Sequence, residues 1–189
     1  MRKIIWIAHT SLDGYVANKE GKLDDFESGE DNLDFVGEIC KEADTILSGR
    51  TTHELLYSFW PDAGDHPGAT RAEKKYSDWY NRTTKIVATR TPSDSCKGNI
   101  HFVHNNLLQY VQQAKGQKGS PIVIFGSSDV GGQLMEKNLI DVYWIFVNPV
   151  IFGSGVPLFK TGANQRKLRL IETRRFANGE TALKYVSEN

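Results

Sequence analysis

The chain has 189 residues, 39% of them hydrophobic, with 23 basic and 23 acidic side chains. That length suits a single domain able to bury a core, and the apolar share excludes a disordered chain. Zero net charge without a clustered Lys/Arg stripe points away from nucleic acid and from membrane surfaces.

Cys40 and Cys96 lie far apart and lack metal-ligand spacing, so they read as two reduced thiols. The first apolar run is too short for a signal peptide and no stretch approaches a membrane span, so a cytoplasmic protein is expected.

Residues 3–9, KIIWIAH, form a short β-branched apolar run and predict a buried strand. A long loop follows over 11–26, with Asp13-Gly14 and Gly21 as turn signals. Residues 31–43 carry Leu33, Val36, Ile39 and Cys40 at helical spacing, with Asp31 as N-cap. A second strand is expected over 44–48, then a short helix over 51–60 that Pro61 ends. Residues 61–68 are rich in turn formers, and 70–82 read as an amphipathic helix.

KIVAT (85–89) and IHFV (100–103) predict two further strands. Residues 105–116 predict a helix with Asn105 as N-cap and Gly116 past its end. A strand over 121–126 leads into a helix from Ser128 to about Asn138. Residues 141–153 form the longest apolar stretch and hold at least one strand. KLRLIET and TALKYV are two strands joined through Asn178-Gly179, a strong hairpin signal. Strands that alternate with helices to about residue 150, followed by a hairpin, predict a mostly parallel α/β sheet with an antiparallel edge in one domain, 1–189.

Ligands of such sheets bind beyond the carboxyl ends of the strands. Gly49, Arg50 and Thr52 follow the second strand and enter a helix, whose free N–H groups and dipole attract anions. Thr52 adds a hydroxyl and Arg50 a bidentate phosphate partner. Thr89 and Arg90 end KIVAT; Gly126, Ser127 and Ser128 end the 121–126 strand at another helix start. Each has an ordinary alternative: a turn glycine, helix caps at Thr51, Thr52 or Ser128, or a surface salt bridge. Three at one sheet edge suit an extended phosphorylated ligand such as a dinucleotide. Neither a Rossmann glycine fingerprint nor a P-loop Lys-Ser/Thr ending is present.

SLDGYVA (11–17), LSGRTTHE (47–54), KIVATRT (85–91), the segment 122–159 and the closing NGETALKY resemble the dihydrofolate reductase-like family, which includes the reductase domain of bacterial riboflavin biosynthesis. The resemblance covers nearly the whole chain in order. It implies a three-layer α/β/α fold with a mainly parallel sheet of eight or nine strands, NADPH as hydride donor, a small-molecule substrate and a homodimer. Carried over by position, Gly49, Arg50 and Thr52 resemble the first phosphate clamp. Thr89 and Arg90 resemble the 2′-phosphate side, and Gly126, Ser127 and Ser128 the diphosphate loop. Ala8, Val16 and Ala17 would flank the nicotinamide. Two basic groups, Arg50 and Arg90, favour NADPH over NADH, since the extra phosphate gives guanidinium groups a partner.

The substrate transfers less well. Ile7 stands where riboflavin reductases carry a lysine, and the folate-reductase carboxylate has only Asp24 or Asp25 as counterparts. Asp13 and Asp24 are the candidate catalytic acids, against the plainer readings of a turn carboxylate and a solvated loop residue. His9 is either a pocket group or a satisfied edge histidine. Trp60, Trp79 and Tyr80 either wall a flat heterocycle or pack the core; Trp144 and Phe146 belong to the core or a dimer interface. The expected activity is reduction of a small heterocyclic or ribosylamino-pyrimidine substrate. The competing reading is a non-catalytic nucleotide-binding or assembly module on the same fold.

Overall fold

The computed structural model describes residues 1–26, 29–91, 97–160 and 162–188. Cys96, one of the two expected thiols, lies outside them. In chain order the elements are β1 (Ile4–Thr10), β2 (Tyr15–Asn18), α1 (Glu30–Cys40), β3 (Thr45–Gly49), α2 (Arg50–Tyr57), α3 (Trp60–Ala63), α4 (Arg71–Arg82), β4 (Thr84–Thr89), β5 (Ile100–His104), α5 (Leu107–Gly116), β6 (Ile122–Phe125), α6 (Ser128–Glu136), β7 (Val142–Val147), β8 (Gly155–Pro157), β9 (Leu168–Arg175) and β10 (Thr181–Ser187). No helix among the described residues is long and apolar enough to cross a membrane.

The chain groups into two compact units, one of Met1–Arg2 with Ser28–Val123 and one of Lys3–Glu27 with Ile124–Asn189. In the first unit β3 pairs in parallel with β4 and β4 with β5, so Gly49 lies opposite Ala88 and Thr89 opposite His104. This is the register that apolar runs buried on both faces adopt. Helix α4 opens on a capping box: the Thr70 hydroxyl accepts from the Glu73 amide while the Glu73 carboxylate accepts from the Thr70 amide. Its apolar side buries Tyr76, Trp79 and Tyr80, and the Trp79 indole N–H donates to the Ala43 carbonyl at 2.9 Å. Trp79 and Tyr80 are thus core side chains, and Trp60 packs on Tyr76 with ring centroids 4.3 Å apart. Cys40 is buried in the same unit; burial alone raises its thiol far above the ordinary range, leaving it inert as a nucleophile.

In the second unit β1 pairs in parallel with β7, and β7 with β10 and β10 with β9 are antiparallel. The Asn178-Gly179 turn forms as expected, with Gly179 at φ +88° and its N–H donating to the Phe176 carbonyl at 3.0 Å. Trp144 and Phe146 are 4% and 0% exposed, which makes them core. Strand β6 runs from the first unit into the second; the Gly126 N–H just beyond it donates to the Ile7 carbonyl at 2.9 Å.

Several local expectations need correction. The 11–26 loop contains β2, which pairs with β8 in a separate two-stranded sheet. Four residues paired to a three-residue partner leave too short a pattern to detect. Asp31 is not the cap of α1; Gly29 is, in extended backbone without a side-chain cap bond. Pro61 does not close a helix but sits in the first turn of α3, where its missing N–H costs nothing. The cap of α5 is Asn106, in the left-handed region at φ 52°, and Gly116 is its last residue.

Candidate functional site

In the first unit the carboxyl ends of β3, β4 and β5 carry the expected phosphate residues. Gly49 is both the last residue of β3 and the N-cap of α2, with φ −75° and ψ 165° and no side-chain cap bond. Neither Thr51 nor Thr52 therefore caps the helix. Arg50 is exposed, and its Nη2 donates to Thr89 Oγ1 at 2.9 Å. Thr89 Oγ1 in turn donates to the Thr91 carbonyl at 2.9 Å and accepts the Thr91 N–H at 3.2 Å. Two residues from adjacent strand ends, Arg50 and Thr89, are thus physically joined. Thr52 is half-buried, and Arg90 is exposed beside Thr89.

Phe102 and His104 join this cluster and escaped the sequence reading. The Arg50 guanidinium carbon lies 5.8 Å from the Phe102 ring centroid, and His104 Nδ1 is 3.3 Å from the Thr89 carbonyl oxygen. A groove of about 390 Å³ opens here, lined by Phe102, His104, Asn105 and Tyr110 among others. His53 packs edge-on against Phe102 at 6.0 Å. Burial, followed by the Lys85 and Arg50 charges, pushes its pKa down despite Glu54, so the ring stays neutral. The one sequence signal for Phe102 is its expected strand, IHFV (100–103), which stops one residue short of His104; only the β4–β5 register puts His104 opposite Thr89.

In the second unit the turn from β6 into α6 carries Gly126, Ser127 and Ser128. Gly126 and Ser127 have φ of +47° and +49°. A side chain is uncommon in this left-handed region, and two successive residues there reverse the chain sharply. Ser127, not Ser128, is the N-cap of α6, and it makes no side-chain cap bond. Ser128 Oγ is buried and has no hydrogen-bond partner among the described residues. A buried hydroxyl left unpaired costs about 1–3 kcal/mol, so such a group marks a place where a ligand acceptor is expected. A Cβ built at Gly126 meets nothing within 4 Å, so the space over the loop is open. These features fit a diphosphate. The loop is held from behind by Trp6, whose indole N–H donates to the Gly126 carbonyl at 2.7 Å.

Ala8 is fully buried in β1, opposite Ile145 of β7. Val16 is half-buried and Ala17 buried in β2. Asp13 is a fastener: its Oδ1 accepts the Ser11 hydroxyl at 2.6 Å and the Phe152 N–H at 3.1 Å, and its Oδ2 accepts the Gly153 N–H at 2.7 Å. The Ser11 hydroxyl is the largest influence and, with the Phe152 and Gly153 amides, holds the carboxyl below the ordinary range against the opposing effect of desolvation. A carboxylate so held is ionised at neutral pH and has no proton to give. Because the folded-state value is depressed, the tether is complete above the ordinary Asp range and is lost as pH falls through the lowered value. Asp13→Asn should speed hydrogen exchange at the Phe152 and Gly153 amides severalfold at neutral pH; protection unchanged from wild type would show that the carboxylate is idle. Asp24 is exposed in a turn, and its neighbour Asp25 is the one that accepts from Asn18 Nδ2, at 3.1 Å.

A third polar group stands at the carboxyl ends of β1 and β7. His9 Nδ1 lies 2.7 Å from Glu180 Oε1, and the same oxygen accepts from Asn148 Nδ2 at 3.1 Å. Asn148 and Glu180 are each 1% exposed. Neither was singled out in the sequence, since Glu180 only follows a turn and Asn148 only ends an apolar run.

A family model described as the RibD C-terminal domain matches residues 2–181. The chain belongs to the RibD C-terminal domain family. Uncharacterized protein YwjB of Bacillus subtilis (strain 168) is 31% identical over 188 residues, covering 98% of both chains. Among solved structures, a putative riboflavin biosynthesis protein from Shewanella sp. PV-4 superposes with a TM-score of 0.72 at 22% identity, over 99% of each chain. A dihydrofolate reductase from Enterococcus faecalis complexed with NADP(H) and RAB-propyl superposes with a TM-score of 0.65 at 21% identity, over 99% of this chain and 97% of that one. The dihydrofolate reductase-like α/β fold expected from the sequence is therefore the fold of this RibD C-terminal family chain.

Proposed function

We propose that this RibD C-terminal family protein is an NADPH-dependent reductase of a small heterocyclic or ribosylamino-pyrimidine substrate. The observation that carries the reading is the unpartnered, buried Ser128 hydroxyl at the start of α6, behind an open turn at Gly126 and Ser127. In this reading Gly126, Ser127 and Ser128 hold the diphosphate. Gly49, Arg50 and Thr52 form the first phosphate clamp, and Thr89 and Arg90 receive the 2′-phosphate with Arg50. Ala8, Val16 and Ala17 flank the nicotinamide, which when bound supplies hydride. The protein orients the reactants and excludes water. A cytoplasmic homodimer accompanies the reading.

Titration of NADPH against tryptophan fluorescence tests it. Saturable quenching is expected, with NADH bound more weakly because Arg50 and Arg90 then lack an anionic partner. No binding at millimolar cofactor, or equal affinity for NADH, counts against it. The second reading, a non-catalytic module, draws on Ile7 in the place of the riboflavin reductases' lysine and on the fully engaged Asp13 carboxylate. NADPH binding without turnover of any pterin or aminouracil would favour that module.

A further inference from the structure

We infer that His9 is the proton donor to the substrate atom that becomes N–H or O–H on reduction, with Glu180 and Asn148 as positioning residues that fix its ring. The inference rests on the reductase reading above.

Strand geometry assembles the trio. His9 lies opposite Phe146 across the parallel β1–β7 pair, and Ala182 lies opposite Phe146 across β7–β10. Paired residues share a sheet face, so His9, Phe146 and Ala182 share one, and Asn148 and Glu180 stand just beyond the end of β7 and just before β10, joined by their own hydrogen bond. The hairpin holds Glu180 independently: its N–H donates to Asn178 Oδ1 at 3.1 Å, and its carbonyl accepts the Phe176 N–H at 3.0 Å. The place is the carboxyl end of two parallel strands, where ligands of open α/β sheets bind.

The hydrogen bonds fix the ring's tautomer. Asn148 Nδ2 lies 3.3 Å from the Thr10 carbonyl oxygen and 3.1 Å from Glu180 Oε1; both are acceptors, which sets the amide the right way round. The carboxylate oxygen therefore accepts, and His9 Nδ1 contributes the N–H. That leaves Nε2 as the working atom, with no partner among the described residues. The His9 side chain is 38% exposed while that of Glu180 is 1% exposed, and Phe146 stacks on the ring at 4.5 Å. The form that donates carries N–H on both ring nitrogens, with Nδ1–H against the Glu180 carboxylate and Nε2–H as the proton to be given. Beyond the ring, Arg174 stands over Phe176 and Lys184 over Trp144.

The other acids do not serve. Asp13 is held ionised by the Ser11 hydroxyl and the 152–153 amides, and Asp24 is a solvated turn residue. In the step, the C=N or C=O carbon gains hydride and its electron pair from NADPH. The double bond's π pair moves to nitrogen or oxygen, which takes the proton from His9 Nε2. NADP⁺ and neutral His9 result, and the exposed ring regains its proton from water.

Two measurements test the assignment. Nitrogen-15 spectra of the imidazole should show the neutral His9 ring protonated at Nδ1, and Glu180→Gln should change that signature; a neutral ring whose single proton sits on Nε2 overturns the proposal. NADPH consumption is then followed with 5-amino-6-(5-phosphoribosylamino)uracil and with 7,8-dihydrofolate as acceptors. His9→Gln should lower kcat about 100-fold, while melting and NADPH titration stay near wild type. His9→Asn serves as the second variant if the first does not fold. Glu180→Gln should lower kcat while the KM for the acceptor stays near wild type, because the ring is no longer held at Nδ1; a merely structural role would move both together. Wild-type turnover in the His9 variants overturns this assignment alone. A wild-type protein that consumes no NADPH with either acceptor overturns the reductase reading, and this one with it.

Discussion

Gly131→Ala should lower the melting temperature by roughly 6–12 °C. A Cβ at Gly131 would stand 2.2 Å from two carbons of the Trp6 indole and 2.7 Å from a third. Trp6 is fully buried and fixed at its far end by the Gly126 carbonyl, so the ring has nowhere to retreat. Overpacking of this kind costs about 3 kcal/mol, and a chain of this size loses about 2–4 °C per kcal/mol. The same change should weaken NADPH binding, because the displaced indole is what holds the turn at Gly126 and Ser127. Calorimetry and the cofactor titration check both halves. A melting temperature within a degree of wild type would show that α6 and β1 can separate freely at that contact.

The second large effect concerns the cofactor. Arg50→Ala should weaken NADPH binding by about 10–100-fold, the equivalent of about 1.5–3 kcal/mol for hydrogen bonds to a charged group. NADH binding should change far less. The reason lies in the Arg50–Thr89 hydrogen bond, which holds the guanidinium against the end of β4 before any ligand arrives. Arg50→Lys should restore little, since an ammonium is a point charge and cannot present a planar fork. Fluorescence titrations with both cofactors read the result. An equal loss for NADH and NADPH would remove Arg50 from the 2′-phosphate end and leave it a general anchor.

These expectations draw unequally on sequence and on folding. The strands 3–9, 44–48, 85–89 and 121–126 were legible because each is a short, apolar, β-branched run bounded by turn formers. The α4 helix and the Asn178-Gly179 hairpin were legible because capping and turn chemistry act over a few residues. β2 was missed because a four-residue strand is defined by its partner, β8, which lies far along the chain. Pro61 was misread because proline ends one helix and opens another with the same ring; what decides is which residues precede it. Thr51, Thr52 and Ser128 looked like caps by composition, but the backbone reached its helical angles one or more residues earlier.

By itself the sequence determined the α/β class, the family and the residues at the strand ends, since periodicity, turn chemistry and motif order are carried by neighbours in the chain. Only the tertiary structure decided what those residues do next to one another. It turned Asp13 from a candidate acid into an ionised fastener by aiming the 152–153 amides at it. It left Ser128 buried and unpaired. It brought Glu180, 171 residues further along, within 2.7 Å of His9. Contacts between distant segments follow from strand register, and register is set by packing across the whole sheet rather than by any local run of residues.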